Sequence, residues 1–369
     1  MKRYLFIFVI VYSSLFAKDN YLLSFQNNKT IHFEDIQKDY NETQTYYEDI
    51  FKKYKQSIEK NFQEIRLSKG YKYVVYDKTF TQRITIDFRN GYIYIDIIAL
   101  EEKVAAQKTL EAFNTLMEYD LNKIIKNNYM EQKLAHKKQR AIETIDNNLL
   151  FVGMLYSKKE TIELYKFFIE KTYDIKKLKD KNLFSTRLTL PKYFDKEYNR
   201  YYKKYIDEYA QKYKLEPFYL WALVENESGF NPYLDVNQKY GLVQLSSLDA
   251  SKAYYRLTGI YKSFYVENLF DVKTNLDLGT NYLSFLYYKE FHEITDTINK
   301  IYTTLLVYHF GLEHLLSALR VETKMELIAL ANFSTSDQFY KYLMKKLPRD
   351  EKIYFFRLTQ DIKKYKQNQ

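Results

Sequence analysis

The 369-residue sequence contains no cysteine, only four prolines and only eight glycines. The lack of cysteine excludes disulfides, thiolate metal sites and a lipid-modified N-terminal cysteine. Scarce glycine disfavours nucleotide-binding folds, and the sequence has no phosphate-binding glycine loop, G-x-S-x-G turn or H-E-x-x-H pair. His309 and His314 are five residues apart, the wrong step for one helical face. We therefore predict neither a cofactor nor a metal ion.

Long apolar runs are also missing beyond the N-terminus. Residues 1–17 read as a Sec-type signal peptide, with the charged start Met1-Lys2-Arg3, an apolar run over 4–16 and cleavage after Ala17. The run is too short to span a bilayer comfortably, although an uncleaved anchor is the alternative because Leu15 is unusual near a cleavage point. We expect a soluble periplasmic protein with no transmembrane helix after cleavage.

The net charge is +10, from 57 Lys and Arg against 47 Asp and Glu. A basic surface can favour anionic polymers. The lysines are spread through the whole chain, however, and no nucleic-acid-binding motif is present. Together with export, this distribution argues against a nucleic-acid partner.

The length favours two domains, which we place at residues 18–191 and 192–369. In the first, apolar residues three and four apart predict a helix within 31–65. Alternating apolar residues on both sides of Asn90-Gly91 predict an antiparallel hairpin, in which both turn residues would take positive φ. A helix with Ala106, Leu110, Phe113 and Met117 on its buried face is expected behind the hairpin. Further strands are expected near 149–155 and 184–190, so this domain is predicted to be α+β.

Beyond Pro191 the pattern is almost wholly helical, and the segment after Pro217 carries a single carboxylate on an apolar stripe. The stripe has steps of three and four residues: Leu220, Leu223, Val224 and Glu227. Glu225 and Asn226 are predicted to point away from it. Burial and the helix C-terminus both favour a neutral carboxyl, so we predict a raised pKa for Glu227 and a role as general acid. A salt-bridged glutamate at a helix end would give the same stripe.

Two ordered motifs favour the catalytic interpretation. ESGFNP at 227–232 and YGLVQL at 240–245 resemble the E-S-x-F-N-P and G-L-M-Q motifs of the lytic transglycosylase domain, a lysozyme-like fold that cleaves bacterial peptidoglycan. The resemblance implies Glu227 as the catalytic residue. It also implies Ser228 and Gln244 as residues that orient either the substrate or the loop.

Three further segments resemble the same family. NLDLGTNYL at 275–283 is similar to N-I-x-x-G-x-x-Y-L, and Gly279 is predicted to be a close-packing position. VYHFG at 307–311 matches A-Y-N-x-G, which implies Tyr308 as the tyrosine against the glutamate and places His309 where the family has asparagine. Val243 stands where the family has methionine. A P-x-x-E … Y segment near the C-terminus implies Tyr354, or alternatively Phe355, as a substrate contact.

The N-terminal region resembles the N-terminal domain of the membrane-bound lytic murein transglycosylase C family over 69–100 and 188–202. It is expected either to position the catalytic domain, to contact cell-wall proteins, or to be an accessory folding unit. No catalytic constellation is evident within it.

The resemblance implies a reaction with one carboxylate, unlike ordinary glycoside hydrolases, which use two. Glu227 would cleave the bond between N-acetylmuramic acid and N-acetylglucosamine and leave a 1,6-anhydromuramoyl end on the glycan strand. The alternative is a catalytically weak or inactive peptidoglycan-binding protein on the same fold.

Overall fold

A computed structural model describes residues 31–142, 156–157, 159–161, 163–164, 173–191 and 194–367. The predicted signal peptide and the predicted strand near 149–155 lie outside the described residues. The chain is α+β as predicted, with its larger sheet in the N-terminal half and mostly helices in the C-terminal half. No described helix has the length and apolar character needed to cross a membrane.

The N-terminal half begins with a long helix and builds one antiparallel sheet. Its described elements are α1 (Phe33–Phe62), β1 (Lys72–Tyr76), β2 (Gln82–Asp87), β3 (Tyr92–Ala99), α2 (Glu102–Met117), α3 (Leu121–Asn127), α4 (Tyr129–Lys137), β4 (Asp174–Lys177) and β5 (Asn182–Thr189). The strand order is β1-β2-β3-β5-β4. The last strand of this half, β5, therefore lies between β3 of the hairpin and the edge strand β4.

The hairpin lies where Asn90-Gly91 predicts it, and Ile84 faces Ile95 across β2 and β3. The turn is longer than the two-residue form, because β2 ends at Asp87 and β3 begins at Tyr92. Of its four residues, all of them described, only Gly91 has a positive φ, so that prediction for Asn90 was wrong. The Asp87 carboxylate instead accepts hydrogen bonds from the Asn90 backbone N–H at 3.0 Å and side-chain amide at 2.9 Å.

Helix α2 packs behind the sheet through a stripe that overlaps the predicted one at Phe113 and Met117. Leu110 is 37% exposed, whereas Ala105, Ala112 and Phe113 are buried. The small side chains of the two alanines allow the helix to approach the strands closely. The periodicity predicted the helix and the burial of Phe113 correctly, but it wrongly placed Leu110 on the buried face.

The C-terminal half is helical, and the structure adds three two-residue strands that the sequence did not predict. Its described elements are α5 (Phe194–Lys212), α6 (Pro217–Ser228), β6 (Asp235–Val236), β7 (Lys239–Tyr240), β8 (Leu245–Ser246), α7 (Ser247–Thr258), α8 (Val266–Leu269), α9 (Val272–Phe285), a π-helical turn (Leu286–Glu290), α10 (Thr297–Phe310), α11 (Leu312–Leu319), α12 (Lys324–Asn332), α13 (Ser336–Lys346) and α14 (Arg349–Gln367). The strands form one small antiparallel sheet between α6 and α7.

Polar contacts join the two halves beside this small sheet. Tyr240 on β7 donates its hydroxyl to Glu131 on α4 at 2.9 Å, and Asn128 donates to Asp235 on β6 at 3.1 Å. Arg140 forms an ion pair with Glu267. One continuous cluster of buried apolar residues also runs from the N-terminal sheet to α14. The predicted boundary at 191/192 remains a prediction.

Two carboxyls at this junction should make stability depend on pH. Burial, together with the neighbouring Asp235, raises the pKa of Glu131 to about 8, and burial raises the pKa of Asp235 to about 6. Both folded-state pKa values lie above the ordinary values of the unfolded chain, so the folded protein binds more protons than the unfolded chain in this pH range. The stability that these bound protons contribute is complete below about pH 4 and is lost as the pH rises through about 6 and 8. The free energy of unfolding should fall by a few kcal/mol, on the order of 1.4 kcal/mol per pKa unit.

Glu131→Gln is expected to remove much of this pH dependence, because the amide keeps an acceptor for Tyr240 without an ionisable proton. Scanning calorimetry between pH 5 and pH 8 would show a smaller fall in Tm for the variant than for the wild type. Glu118→Gln is the control, since Glu118 is exposed and pairs only with Lys123 in the described contacts. Equal slopes for wild type and Glu131→Gln would contradict this account.

Candidate active site

Helix α6 carries Glu227 near its C-terminus, inside the protein. Pro217 occupies the first turn, where its missing N–H costs no hydrogen bond. Gly229 ends the helix with a φ of +60°, and a Cβ there would lie 2.9 Å from the Cα of Tyr71 in the N-terminal half. The helix end is therefore fitted against the segment that precedes β1. Glu227 is 4% exposed, which confirms the predicted burial.

The predicted orientation is right for Glu225 and wrong for Asn226. Glu225 pairs with Lys364 on α14 at 2.9 Å, near the surface. Asn226 is buried, because α14 also covers this side of α6, and it donates to Asp361 at 2.7 Å. The prediction considered the stripe of α6 as an isolated helix and therefore did not include its packing against α14.

Three helices converge on the Glu227 carboxylate. Its Oε1 accepts a hydrogen bond from the Tyr354 hydroxyl of α14 at 2.7 Å and lies 2.5 Å from Nδ1 of His309 on α10. The His309 and Tyr354 rings are stacked, with centroids 3.8 Å apart and planes at 17°. Two partners from different helices thus fix the position of one carboxylate oxygen.

The pKa of Glu227 is lowered, so the predicted increase was wrong. Burial does act to raise the pKa, as expected for a carboxyl out of water. Positive charge on His309, the hydrogen bond from His309, the charge of Lys239 and the hydrogen bond from Tyr354 act the other way and together outweigh burial. Lys239 on β7 also donates to the backbone oxygen of His309 at 2.7 Å. The resting carboxylate is therefore ionised.

Tyr308 does not make the predicted contact with Glu227. Its hydroxyl donates to the backbone oxygen of Val243 at 2.9 Å. The glutamate nevertheless lies near enough for its charge, after burial, to raise the pKa of Tyr308. Tyr354 supplies the hydroxyl to Glu227 instead, and the alternative residue, Phe355, is buried against Tyr302. Tyr308 therefore supports the loop beside the glutamate.

Of the two predicted roles, the contacts of Gln244 favour orientation of the loop, whereas Ser228 bonds within its own helix. Gln244 has a positive φ of 48°, and its amide donates to the backbone oxygens of Leu234 and Gly241, both at 2.9 Å. Ser228 is fully buried and donates to the backbone oxygen of Val224 at 3.0 Å. Both side chains thus hydrogen-bond to backbone in the vicinity of Glu227.

The segment containing Gly279 packs behind this loop, as predicted. A Cβ on Gly279 would lie 2.3 Å from Cγ2 of Val243, which confirms the close-packing role. Asn275, the first residue of the same segment, lies one turn earlier. Its side chain accepts from the Val243 N–H at 3.0 Å and donates to the Tyr240 oxygen at 2.8 Å, so it supports the turn at two points.

Glu227 faces a cleft of about 1000 Å³ between the two halves of the chain. Gln244, His309 and Tyr354 line one side, and residues 67–76 of the N-terminal half line the other. This volume is at the upper end of the usual range for ligand sites. The cleft is therefore large enough for an extended substrate. Among the described residues, no group of three or more histidine or acidic side chains is placed to bind a metal ion.

Residues 204–327 match the family model described as "Transglycosylase SLT domain". The matched residues begin in α5 and end in α12, so Glu227, Gln244, Tyr308 and His309 lie within the matched region. Tyr354 and the N-terminal side of the cleft lie outside it. The predicted resemblance to lytic murein transglycosylases is thereby confirmed.

Several curated proteins are similar to this chain. Membrane-bound lytic murein transglycosylase E of Buchnera aphidicola is 32% identical over 137 residues, which are 37% of this chain and 61% of that protein. Membrane-bound lytic murein transglycosylase C of Cronobacter sakazakii is 23% identical over 316 residues, 83% of this chain and 84% of that protein. Membrane-bound lytic murein transglycosylase C of Yersinia enterocolitica is 24% identical over 180 residues, which are 48% of this chain and 50% of that protein. The matches thus span less than two thirds of the first and third relatives.

Proposed function

We propose that the protein is an exported peptidoglycan lytic transglycosylase in which Glu227 is both acid and base. The main support is one buried carboxylate, held by His309 and Tyr354, that faces a large cleft within an SLT domain. The N-terminal segment 67–76 would form the opposite wall and contact the glycan strand or its peptides.

The other described carboxylates that line the cleft already have partners. Asp235 accepts from Asn128, Glu351 pairs with His314, and Asp350 lies at the surface, 4.0 Å from Lys69. These contacts favour a reaction that depends on one carboxylate, rather than the acid and base pair of ordinary glycoside hydrolases.

In the proposed reaction, Glu227 donates a proton to the oxygen that links N-acetylmuramic acid to N-acetylglucosamine, and the bond from that oxygen to C1 breaks. The muramoyl C6 hydroxyl then attacks C1, and its proton passes to the Glu227 carboxylate. The product is a 1,6-anhydromuramoyl end, and Glu227 regains its proton without consumption of water. Positive charge near the carboxylate stabilises the anion left after the first step.

The purified chain from residue 18 is expected to release anhydromuropeptides from murein, detectable by mass spectrometry. Reducing ends in their place would show hydrolysis and contradict the proposed reaction. Co-sedimentation with murein without release would instead favour the second candidate, an inactive peptidoglycan-binding protein. The observation that favours this candidate is the ionised resting state of Glu227, since an ionised carboxylate has no proton of its own to donate.

A further inference from the structure

We propose that His309 is a positioning residue that shares a single proton with Glu227 and supplies it to the carboxyl when the glycosidic bond breaks. The inference rests on the proposed function and deepens it. In this proposal, the proton that the ionised Glu227 lacks is held by the adjacent imidazole of His309. The active unit is then a glutamate–histidine pair.

The first support is the geometry of the pair. Nδ1 of His309 and Oε1 of Glu227 are 2.5 Å apart, closer than the roughly 2.7–2.9 Å of an ordinary charge-assisted N–H···O bond. The Glu227 side chain is nearly inaccessible to water, and the His309 side chain is 28% exposed and lines the cleft. A proton between these atoms is thus shielded by the protein on the glutamate side and accessible from the cleft on the histidine side.

The second support is that the imidazole is held in place. One face stacks on Tyr354, and the ring meets Phe310 edge-on, with centroids 4.5 Å apart and planes at 90°. The backbone oxygen of His309 accepts from Lys239, which fixes the end of α10 on β7. Tyr354 also bonds to the same glutamate oxygen, so the acid, the imidazole and the phenol form one rigid group.

The charges around the pair come from four elements. Lys239 on β7 acts to lower the pKa of Glu227. Burial and Glu227 raise the pKa of Tyr354, and Arg357 on α14 acts the other way. Tyr308 on α10 is a buried phenol whose raised pKa keeps it neutral. Farther along the cleft, His314 on α11 pairs with Glu351 on α14 at 2.6 Å. Within this set, His309 and Tyr354 contact the Glu227 carboxylate, and the imidazole is the one of the two that can carry either one or two ring N–H groups.

The proton balance of the reaction is satisfied by the pair. Before the reaction, the proton is on Nδ1 and the carboxylate is ionised. It moves to Oε1, and the neutral carboxyl donates it to the glycosidic oxygen as the bond to C1 breaks, which leaves a carboxylate beside a neutral imidazole. The C6 hydroxyl then attacks C1, and its proton returns to the pair.

His309→Asn separates this role from simple hydrogen bonding. An asparagine amide places an N–H near the position of Nδ1 but has no titratable proton. In the wild type, the single proton is held by the pair, so activity persists to a higher pH than a lone carboxyl would allow. In the variant, Glu227 must hold the proton alone, and the basic limb of the kcat profile should move to lower pH.

The experiment measures kcat and KM for wild type and His309→Asn on a soluble murein tetrasaccharide from pH 4 to pH 9. We expect near-equal kcat at the acidic end and roughly a 10-fold or greater loss in the variant above neutral pH, with little change in KM. His309→Gln, whose amide nitrogen is placed differently, is the matched comparison and should be impaired at every pH. Superimposable profiles for wild type and His309→Asn would overturn the proposal.

A second measurement does not depend on activity. A strongly downfield proton resonance is expected for the His309–Glu227 bond in the full chain, and it should disappear in both His309→Asn and Glu227→Gln. Its absence from the wild type would overturn the shared proton even if the variants fail to fold. Failure of wild type to release anhydromuropeptides, with the resonance present, would refute the proposed function and leave the pair intact.

Discussion

Glu227→Gln is expected to abolish the release of anhydromuropeptides from murein. Glutamine keeps the shape of the side chain and an oxygen that can accept from Tyr354, but it can neither donate nor accept the transferred proton. Loss of a positioned acid lowers the rate by roughly 10²- to 10⁴-fold, and here the same group also serves as the base. Mass spectrometry of digests at equal protein concentration would measure the loss, with circular dichroism to verify the fold.

Glu225→Gln is the matched control for that experiment. Glu225 lies on the same helix, two residues earlier, and pairs with Lys364 near the surface instead of facing His309. Its loss should leave the rate within about twofold, since an exposed ion pair contributes little. Equal losses in the two variants, or retained activity in Glu227→Gln, would contradict the assignment of the acid.

Gly241→Ala is expected to destabilise the protein by about 2–5 kcal/mol, the second large effect. Gly241 has a φ of +76°, which is unfavourable for alanine, and a Cβ there would lie 2.5 Å from Nδ2 of Asn275 and 2.6 Å from the backbone oxygen of Leu269. The turn also accepts the Gln244 amide. Urea unfolding should show the lost stability, and murein cleavage should decrease because the loop beside Glu227 is displaced.

Gly259→Ala isolates the contribution of close packing. Gly259 has a similar φ of +72°, but no atom lies within 4 Å of the position its Cβ would occupy. Alanine there should cost only the backbone strain, about 1–2 kcal/mol. If the two variants lose the same stability, the close approach of Asn275 and Leu269 has no energetic consequence.

The local patterns in the sequence predicted features that depend on one or two elements. The alternation around Asn90-Gly91 predicted the hairpin, and the stripe of α6 predicted that Glu227 is buried. Gly279 was correctly assigned to close packing because no larger residue fits beside Val243. Each of these features follows from periodicity or from a short motif, both of which can be seen in a single segment.

The features that escaped prediction depend on contacts between distant segments. The pKa of Glu227 depends on His309 and Lys239, which lie 82 and 12 positions after Glu227 in the chain. The sequence does not show that either side chain approaches the carboxylate. The same limit explains why Tyr308 was expected where Tyr354 lies, since both tyrosines follow plausible motifs. Asn226 was misplaced because α14, which covers it, comes 123 residues later.

Digestion of murein in water enriched in ¹⁸O tests the central claim most directly. If Glu227 directs the C6 hydroxyl to C1, the released muramoyl ends will be lighter by one water and will contain no ¹⁸O. Incorporation of ¹⁸O at C1 of the product would show that water is the nucleophile, and it would contradict the proposed transglycosylase reaction.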